Sequence, residues 1–592
     1  MTATKKPRWK ILAAGWFLVL AGGALAHAVQ TAGGIELRDV RFDGDDGVRL
    51  AGLLYVPPGA SAADPAPAVL AVHGYINSRE TQSGFAIELA RRGYAVLALD
   101  QTGHGFSGGR ALSGGYGGPA GLAYLRGLDF VDADNIGLEG HSMGGWAAVS
   151  AAAAHPEGYR SVALVGSATG PGFAPAGTPE FPRNLGVVFS TYDEFSQLMW
   201  GVGSARDVTA SEKLKAVFGL DEDVAPGRVY GSVDEGTARR LATPVSTHPG
   251  EHLSRAAIGE AVGWLNATLE GERELDDTDQ IWPWKEAGTL IALIGGVLVL
   301  LGALEFLLSL PRFAALRSDG VGVAERASGG WWLALVVASA VPALTYFPLT
   351  TRGAAFSASA LFPQGITNQI LAWAIGNAVL ALPALWLARR RHARVDAAAG
   401  ADGAGGSNEA ARATPAGAGK RRAAMTLVVA LLAVACLYLA VLVSHWAFRT
   451  DLRFWVVALK PMAPHHVRAF LAYLLPFTAF FYLTQRAFLA TLPLRGAGRA
   501  AQYATGIAAT AGGFALMVGA LYAALLANGR LPAFGGIGAL FTVIAIQFVP
   551  VLGVTAAVAV FAWRRTNGAL AGAVICGLLV TWYIVAGQAT HV

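Results

Sequence analysis

The chain has 592 residues, 54% hydrophobic and only 14% charged, a length beyond what one hydrophobic core supports. This balance excludes a disordered chain and a wholly soluble globule, and it points to membrane spans beside a folded domain. The net charge of +5 conceals a split: residues 31–284 carry 18 Lys/Arg against 32 Asp/Glu, and the remainder 27 against 8. The basic excess therefore sits with the apolar part, where it reads as loops flanking spans and not as a nucleic-acid-binding face.

Residues 1–30 open on Lys5, Lys6, Arg8 and Lys10, followed by an apolar run from Ile11 to Val29. This is a signal anchor or a secretory signal, with Ala24-Leu25-Ala26 resembling a cleavage site. Either way, residues 31–284 are expected outside the cytoplasm. In them, Ile35–Phe42 and Val48–Val56 read as an antiparallel pair around a Gly44-Asp45-Asp46-Gly47 turn. Buried strands follow at Pro67–His73, Tyr94–Asp100, 135–140, Ser161–Gly166, Leu185–Ser190 and Arg240–Ser246. Helices are expected at Glu80–Arg92, Pro119–Phe130, 143–154 and Ser254–Leu269, with Glu212–Leu220 as a short cover. Buried strands alternating with helices predict an α/β fold, a mostly parallel sheet covered on both faces.

Catalytic side chains of such a sheet belong at the carboxyl ends of its strands. Gly140-His141-Ser142-Met143-Gly144-Gly145 joins a strand to a small-residue helix, the context in which a serine hydroxyl is presented as a nucleophile. A chain with 74 glycines makes the pattern itself weak, and a second copy, Gly105-Phe106-Ser107-Gly108-Gly109, follows a loop and fails that context. An acid is needed after a later strand, and Asp193 follows Leu185–Ser190, with Glu194 as the fallback. The base should follow the last strand. His248 comes directly off it, and His252, just before the helix cap Ser254, is the alternative. His141 is expected to point away from the nucleophile. Backbone N–H groups of Tyr75 and Met143 are the candidates for an oxyanion hole.

After Trp284, eight apolar stretches are long enough to span: 287–310, 331–350, 366–388, 424–447, 469–490, 501–527, 533–562 and 568–588. Residues 285–592 are thus an all-α transmembrane domain. With the N-terminus inside, the cytoplasmic segments hold 19 Lys/Arg and the outer ones seven, so the C-terminus is expected outside. The Ala/Gly-rich 389–422 loop is expected to be cytoplasmic and disordered. Glu305, His445 and Arg486 are the clear ionisable residues of the spans. Asn368, Gln369, Asn377 and Gln547 are expected to bond helix to helix, and His465-His466 to be solvated at the interface. Cys436 and Cys576 lie in apolar runs and offer no disulfide framework.

Residues 35–270 resemble the α/β-hydrolase superfamily. The resemblance is carried by His73-Gly74, by Asp100-Gln101-Thr102-Gly103-His104-Gly105-Phe106-Ser107-Gly108, by Gly140 to Gly145, and by Asp193 and His248. Gln101-Thr102 departs from relatives that carry an arginine there. The resemblance implies a Ser-His-Asp hydrolase with no cofactor and no metal. The expectation is a membrane-bound serine hydrolase acting on a small-molecule or lipid acyl ester, with the bilayer as partner. A peptidase or acyltransferase would use the same groups. A transporter with a hydrolase-like binding domain is the contrasting reading, and the oligomeric state is left open.

Overall fold

The long uninterrupted apolar runs become strands of a single sheet. The computed structural model describes residues 8–44, 47–271, 275–390, 418–532 and 535–592. Asp45-Asp46 of the first turn, Lys5 and Lys6, the beginning of the 533–562 stretch and residues 391–417 of the 389–422 loop lie outside them.

The strands are β1 (Glu36–Asp43), β2 (Arg49–Val56), β3 (Ala66–Val72), β4 (Ala95–Asp100), β5 (Val131–His141), β6 (Ser161–Val165), β7 (Leu185–Val188), β8 (Val229–Tyr230) and β9 (Arg239–Ala242). They lie in the order β1-β2-β4-β3-β5-β6-β7-β9-β8. The run from β4 to β9 is parallel, and β1, β2 and β8 are antiparallel to their neighbours. Every residue of β3, β4, β6 and β7 is buried, as a sheet covered on both faces requires. Helices α2 (Ser83–Arg91) and α7 (Arg255–Thr268) cover one face through Phe85, Ile258 and Trp264. Helices α3 (Gly118–Arg126) and α4 (Met143–Ala154) cover the other through Leu122, Ala147 and Val149. The expected helix 80–92 opens instead as a 3-10 turn, Arg79–Gln82. The short cover comprises α5 (Ser196–Trp200) and α6 (Glu212–Phe218).

Nine helices among the described residues are long and apolar enough to cross a membrane. The first is α1 (Lys10–Gln30), and α8 (Trp282–Ser309) runs along it. A Cβ on Gly22 would collide with the Gly288 carbonyl and stand 2.6 Å from Ala292 N, so the two backbones touch through small residues. The N-terminal helix is thereby part of the bundle. The expected 331–350 span is two helices, α9 (Gly329–Leu344) and α10 (Tyr346–Gly353), with Pro342 inside α9. Then follow α11 (Gly365–Leu380), in a span reaching Arg390, α12 (Ala418–Phe448), α13 (Pro464–Leu489), α14 (Arg499–Asn528), α15 (Gly535–Thr566) and α16 (Leu570–Gly587). A hairpin, β10 (Leu452–Phe454) and β11 (Val457–Leu459), links α12 to α13.

Polar groups in the spans are largely partnered. Glu305 meets Arg8 at 2.8 Å, Arg317 at 3.3 Å, and Arg565. Tyr473 donates to Asn368 at 2.7 Å, Tyr583 to Gln547 at 2.6 Å, and Asn377 to Thr345 at 3.1 Å. The His465-His466 pair differs from expectation: both fall in the first turn of α13, and His466 is fully buried, with Nδ1 accepting from Ala463 N. Closing that turn against the chain before it hides the imidazole from solvent.

The carboxyl edge of the sheet faces the bundle. Trp455 donates to the Pro249 carbonyl at 2.6 Å, and Tyr522 to Glu194 at 2.6 Å. Ala111 N donates to Thr590 O at 2.7 Å, and Thr590 N to Gly103 O at 2.8 Å. The segments expected outside by charge are thus the ones that meet the α/β domain.

Candidate active site

Gly140 to Gly145 makes the turn from β5 into α4. Ser142 sits at its apex with φ 55° and ψ −123°, a backbone region costly for any residue with a Cβ. The turn is held by Ser142 N donating to Val165 O at 2.8 Å and by Ser167 Oγ donating to Ser142 O at 2.6 Å. Gly144 lets α4 lie against β3, since a Cβ there would strike the Val72 carbonyl. Ser107, the serine of the second glycine motif, is structural: its hydroxyl donates to Asp100 O at 2.6 Å and accepts from Ala51 N at 2.9 Å.

The loop after β7 supplies Asp193 and the loop after β9 supplies His248. His248 Nδ1 donates to Asp193 Oδ2 at 2.8 Å, and both side chains are buried. His252 goes elsewhere. The 3-10 turn Glu251–Leu253 carries its ring between His141, at 4.1 Å, and Phe85, at 6.3 Å. The His141 ring lies 4.7 Å from that of His248, and its Nε2 lies 3.1 Å from the His248 carbonyl oxygen. Glu194 accepts from His248 N at 2.7 Å, so it steadies the loop while Asp193 takes the imidazole.

Three carboxyl groups crowd one imidazole. Burial alone would push the His248 pKa down, but the Asp193 charge and hydrogen bond, helped by Glu251 and Glu194, raise it to about 9. Burial, together with the Asp193 charge, pushes Glu194 up to about 7 and Glu251 well above the usual carboxyl range. Burial, with the other imidazoles, holds His141 well below its ordinary value and takes His252 down to about 3. Of the three imidazoles, only His248 is therefore able to carry a proton near neutral pH. Among the described residues His141, His248 and Glu251 each offer a possible metal-ligand atom, mutually within 4.8 Å. Those groups are already engaged internally, His248 by Asp193 and Glu251 by Ser190 N and His141.

Ser142, His248, Tyr75 and Met143 line one cavity of about 420 Å³. A Cβ on Gly74 would stand 3.1 Å from Ser142 Cβ, so the loop bearing Tyr75 passes directly beside the nucleophile candidate. The Tyr75 hydroxyl lies 3.1 Å from His591 Nε2. The other wall of the cavity is bundle: Arg453, Trp455, Ile366, Phe541 and Gln547. Arg453 is buried against Asp451 at 2.6 Å and Glu80 at 3.5 Å. The hairpin and α15 thus roof the site. Glu251 adjoins the histidine motif and could have been singled out there. Arg453, Trp455 and Tyr522 carry no local signal.

Residues 63–197 match the family described as serine aminopeptidase, S33. Esterase YjfP of Escherichia coli (strain K12) is 25% identical over 240 residues, 37% of this chain and 95% of that esterase. A dienelactone hydrolase from Anabaena variabilis ATCC 29413 is 22% identical, covering 40% of this chain and 99% of its own, with a TM-score of 0.29. The α/β hydrolase GrgF from Penicillium sp. sh18 is 22% identical, with a TM-score of 0.20; the match covers 22% of this chain and 45% of GrgF. The N-terminal part of this chain takes the α/β-hydrolase fold, with residues 63–197 matching that family, and a large helical part with several apolar helices follows it.

Proposed function

We propose that the protein is a membrane-embedded serine hydrolase that cleaves acyl esters outside the cytoplasm. The observation that carries this reading is the 2.8 Å bond from His248 to Asp193 at the wall of a cavity that Ser142 also lines. Ser142 Oγ attacks the acyl carbonyl carbon while His248 Nε2 takes its proton. Amides of Tyr75 and Met143 receive the oxyanion. The ester C–O bond then breaks, and the leaving alcohol takes the proton back from His248. Water, activated by the same imidazole, releases the acid and regenerates the serine. Asp193 holds the imidazole in the required tautomer and offsets its charge.

The family description favours a second reading, cleavage of a peptide bond near an amino terminus. The apolar bundle side of the cavity, with Ile366, Leu540, Phe541 and Val543, fits an acyl group better. The test is labelling of the detergent-purified protein with a fluorophosphonate, mapping of the adduct, and parallel assay with p-nitrophenyl esters and aminoacyl p-nitroanilides. An adduct on Ser142, absent in Ser142→Ala, with turnover of esters alone, is expected. A folded protein that neither labels nor turns over would sink the reading, and turnover of the anilides alone would replace it with the peptidase.

A further inference from the structure

Two further, separate cavities follow the roofed one into the bundle. A second compartment of about 40 Å³ shares Gln547 with the first, and a third of about 250 Å³ shares Trp373, Phe480, Phe481 and Leu552 with the second. One face of α15 lines all three. Leu540, Val543, Gln547, Val551, Thr555 and Ala559 recur at intervals of three and four, the spacing of a single helical stripe. At about 1.5 Å per residue the stripe is roughly 28 Å long, close to the ~30 Å hydrocarbon core of a bilayer.

The compartments differ in chemistry along this line. The first holds Asn77, Glu286, Arg453 and Gln369 beside its apolar wall. The second and third contain no charged side chain. The third includes Val337 and Leu380, which are 49% and 50% exposed on the outside of the bundle. The path is polar at Ser142, apolar through the helices, and flanked at its far end by residues that face lipid. A soluble ester needs no such extension. An amphiphile has this same order of chemistry, a carbonyl at one end and a hydrocarbon tail behind it.

We propose that the substrate is a long-chain acyl ester of a bilayer lipid, bound with its carbonyl at Ser142 and its tail threaded along the α15 face between α11 and α13. This rests on the serine-hydrolase reading and names its substrate class. The second compartment is the narrow point, so the tail passes by turning Trp373 or Phe480 aside.

The test uses the full chain in detergent with p-nitrophenyl butyrate and palmitate. For the native protein, kcat/KM for palmitate is expected to exceed that for butyrate. Val551→Trp, filling the second compartment, is expected to lower the palmitate-to-butyrate ratio at least tenfold. Leu516→Trp, on a 78% exposed position of α14 outside all three compartments, leaves that ratio where it was. Fluorophosphonate labelling of Ser142 in Val551→Trp separates a blocked tail path from a misfolded site. A native ratio at or below one, or a ratio indifferent to Val551→Trp, overturns the proposal while leaving a serine hydrolase in place. Cross-linking by a diazirine-bearing palmitoyl ester reads tail binding without turnover: adducts on α13 and α15 support the path even where Ser142 proves inert, and their absence overturns it.

Discussion

At the scale of single residues, the site is governed by which of its carboxyl groups is charged. Asp193 bonds His248 directly, whereas burial and the Asp193 charge push the Glu251 carboxyl well above its ordinary pKa. The general base must be neutral before it can accept the Ser142 proton. Raising the His248 pKa therefore moves the rising limb of the pH–rate profile upward: kcat/KM should climb with pH well above 6.5, toward about 9. Asp193→Asn should cost about 10⁴-fold in kcat, because the imidazole then loses its tautomer and the charge opposite it. Glu251 helps to hold the His248 pKa up, so Glu251→Gln should lower the limb, by less than the Asp193 contribution. Initial rates on a p-nitrophenyl ester from pH 6 to 10 check all three. A limb that stays in place in Glu251→Gln would mean that Glu251 is neutral in the working enzyme.

At the scale of elements, the α1–α8 pair shows what small residues do where lipid removes any hydrophobic drive for association. Gly15 and Gly22 face Gly288 and Gly295, and Gly295 Cβ would stand 2.8 Å from Gly15 O. Gly22→Leu must push the backbones apart, an overpacking cost of about 1–3 kcal/mol. Leu20→Ala, at a position 44% exposed on the same helix, should change little. Thermal unfolding in detergent should separate the two, and equal midpoints would refute the close packing. That contact also argues that α1 is retained as a helix of the bundle. Element positions were legible in the sequence because parallel strands and spans are both written as unbroken apolar runs, and their observed bounds differ from the expected ones by a few residues. The preference for His248 over His252 rests on its place directly off the last strand, and a single 3-10 turn carries His252 elsewhere. The roof was not legible. Arg453 and Trp455 look like ordinary loop residues until a contact spanning more than 200 residues brings Trp455 to Pro249.

At the scale of the molecule, sidedness follows from where the charges fall. The end of the bundle away from the hydrolase gathers Arg8, Arg317 and Arg565 around Glu305, and Arg422 reaches the carbonyls of Ala315, Leu316 and Thr566 there. Basic loops stay on the cytoplasmic side of a membrane. The hydrolase end carries fewer basic groups, and Arg453 there is neutralised by Asp451 and Glu80. This distribution supports the proposal that the hydrolase and the C-terminus, joined through Thr590 and Gly103, lie on the outer face. A membrane-impermeant maleimide distinguishes the two arrangements. Ser357→Cys, exposed in the segment between α10 and α11, should label in intact cells. Ser318→Cys, exposed at the basic end, should label only after permeabilisation. Cys576 is buried and Cys436 lies within α12, so the native background should be low. The reverse pattern would put the hydrolase in the cytoplasm.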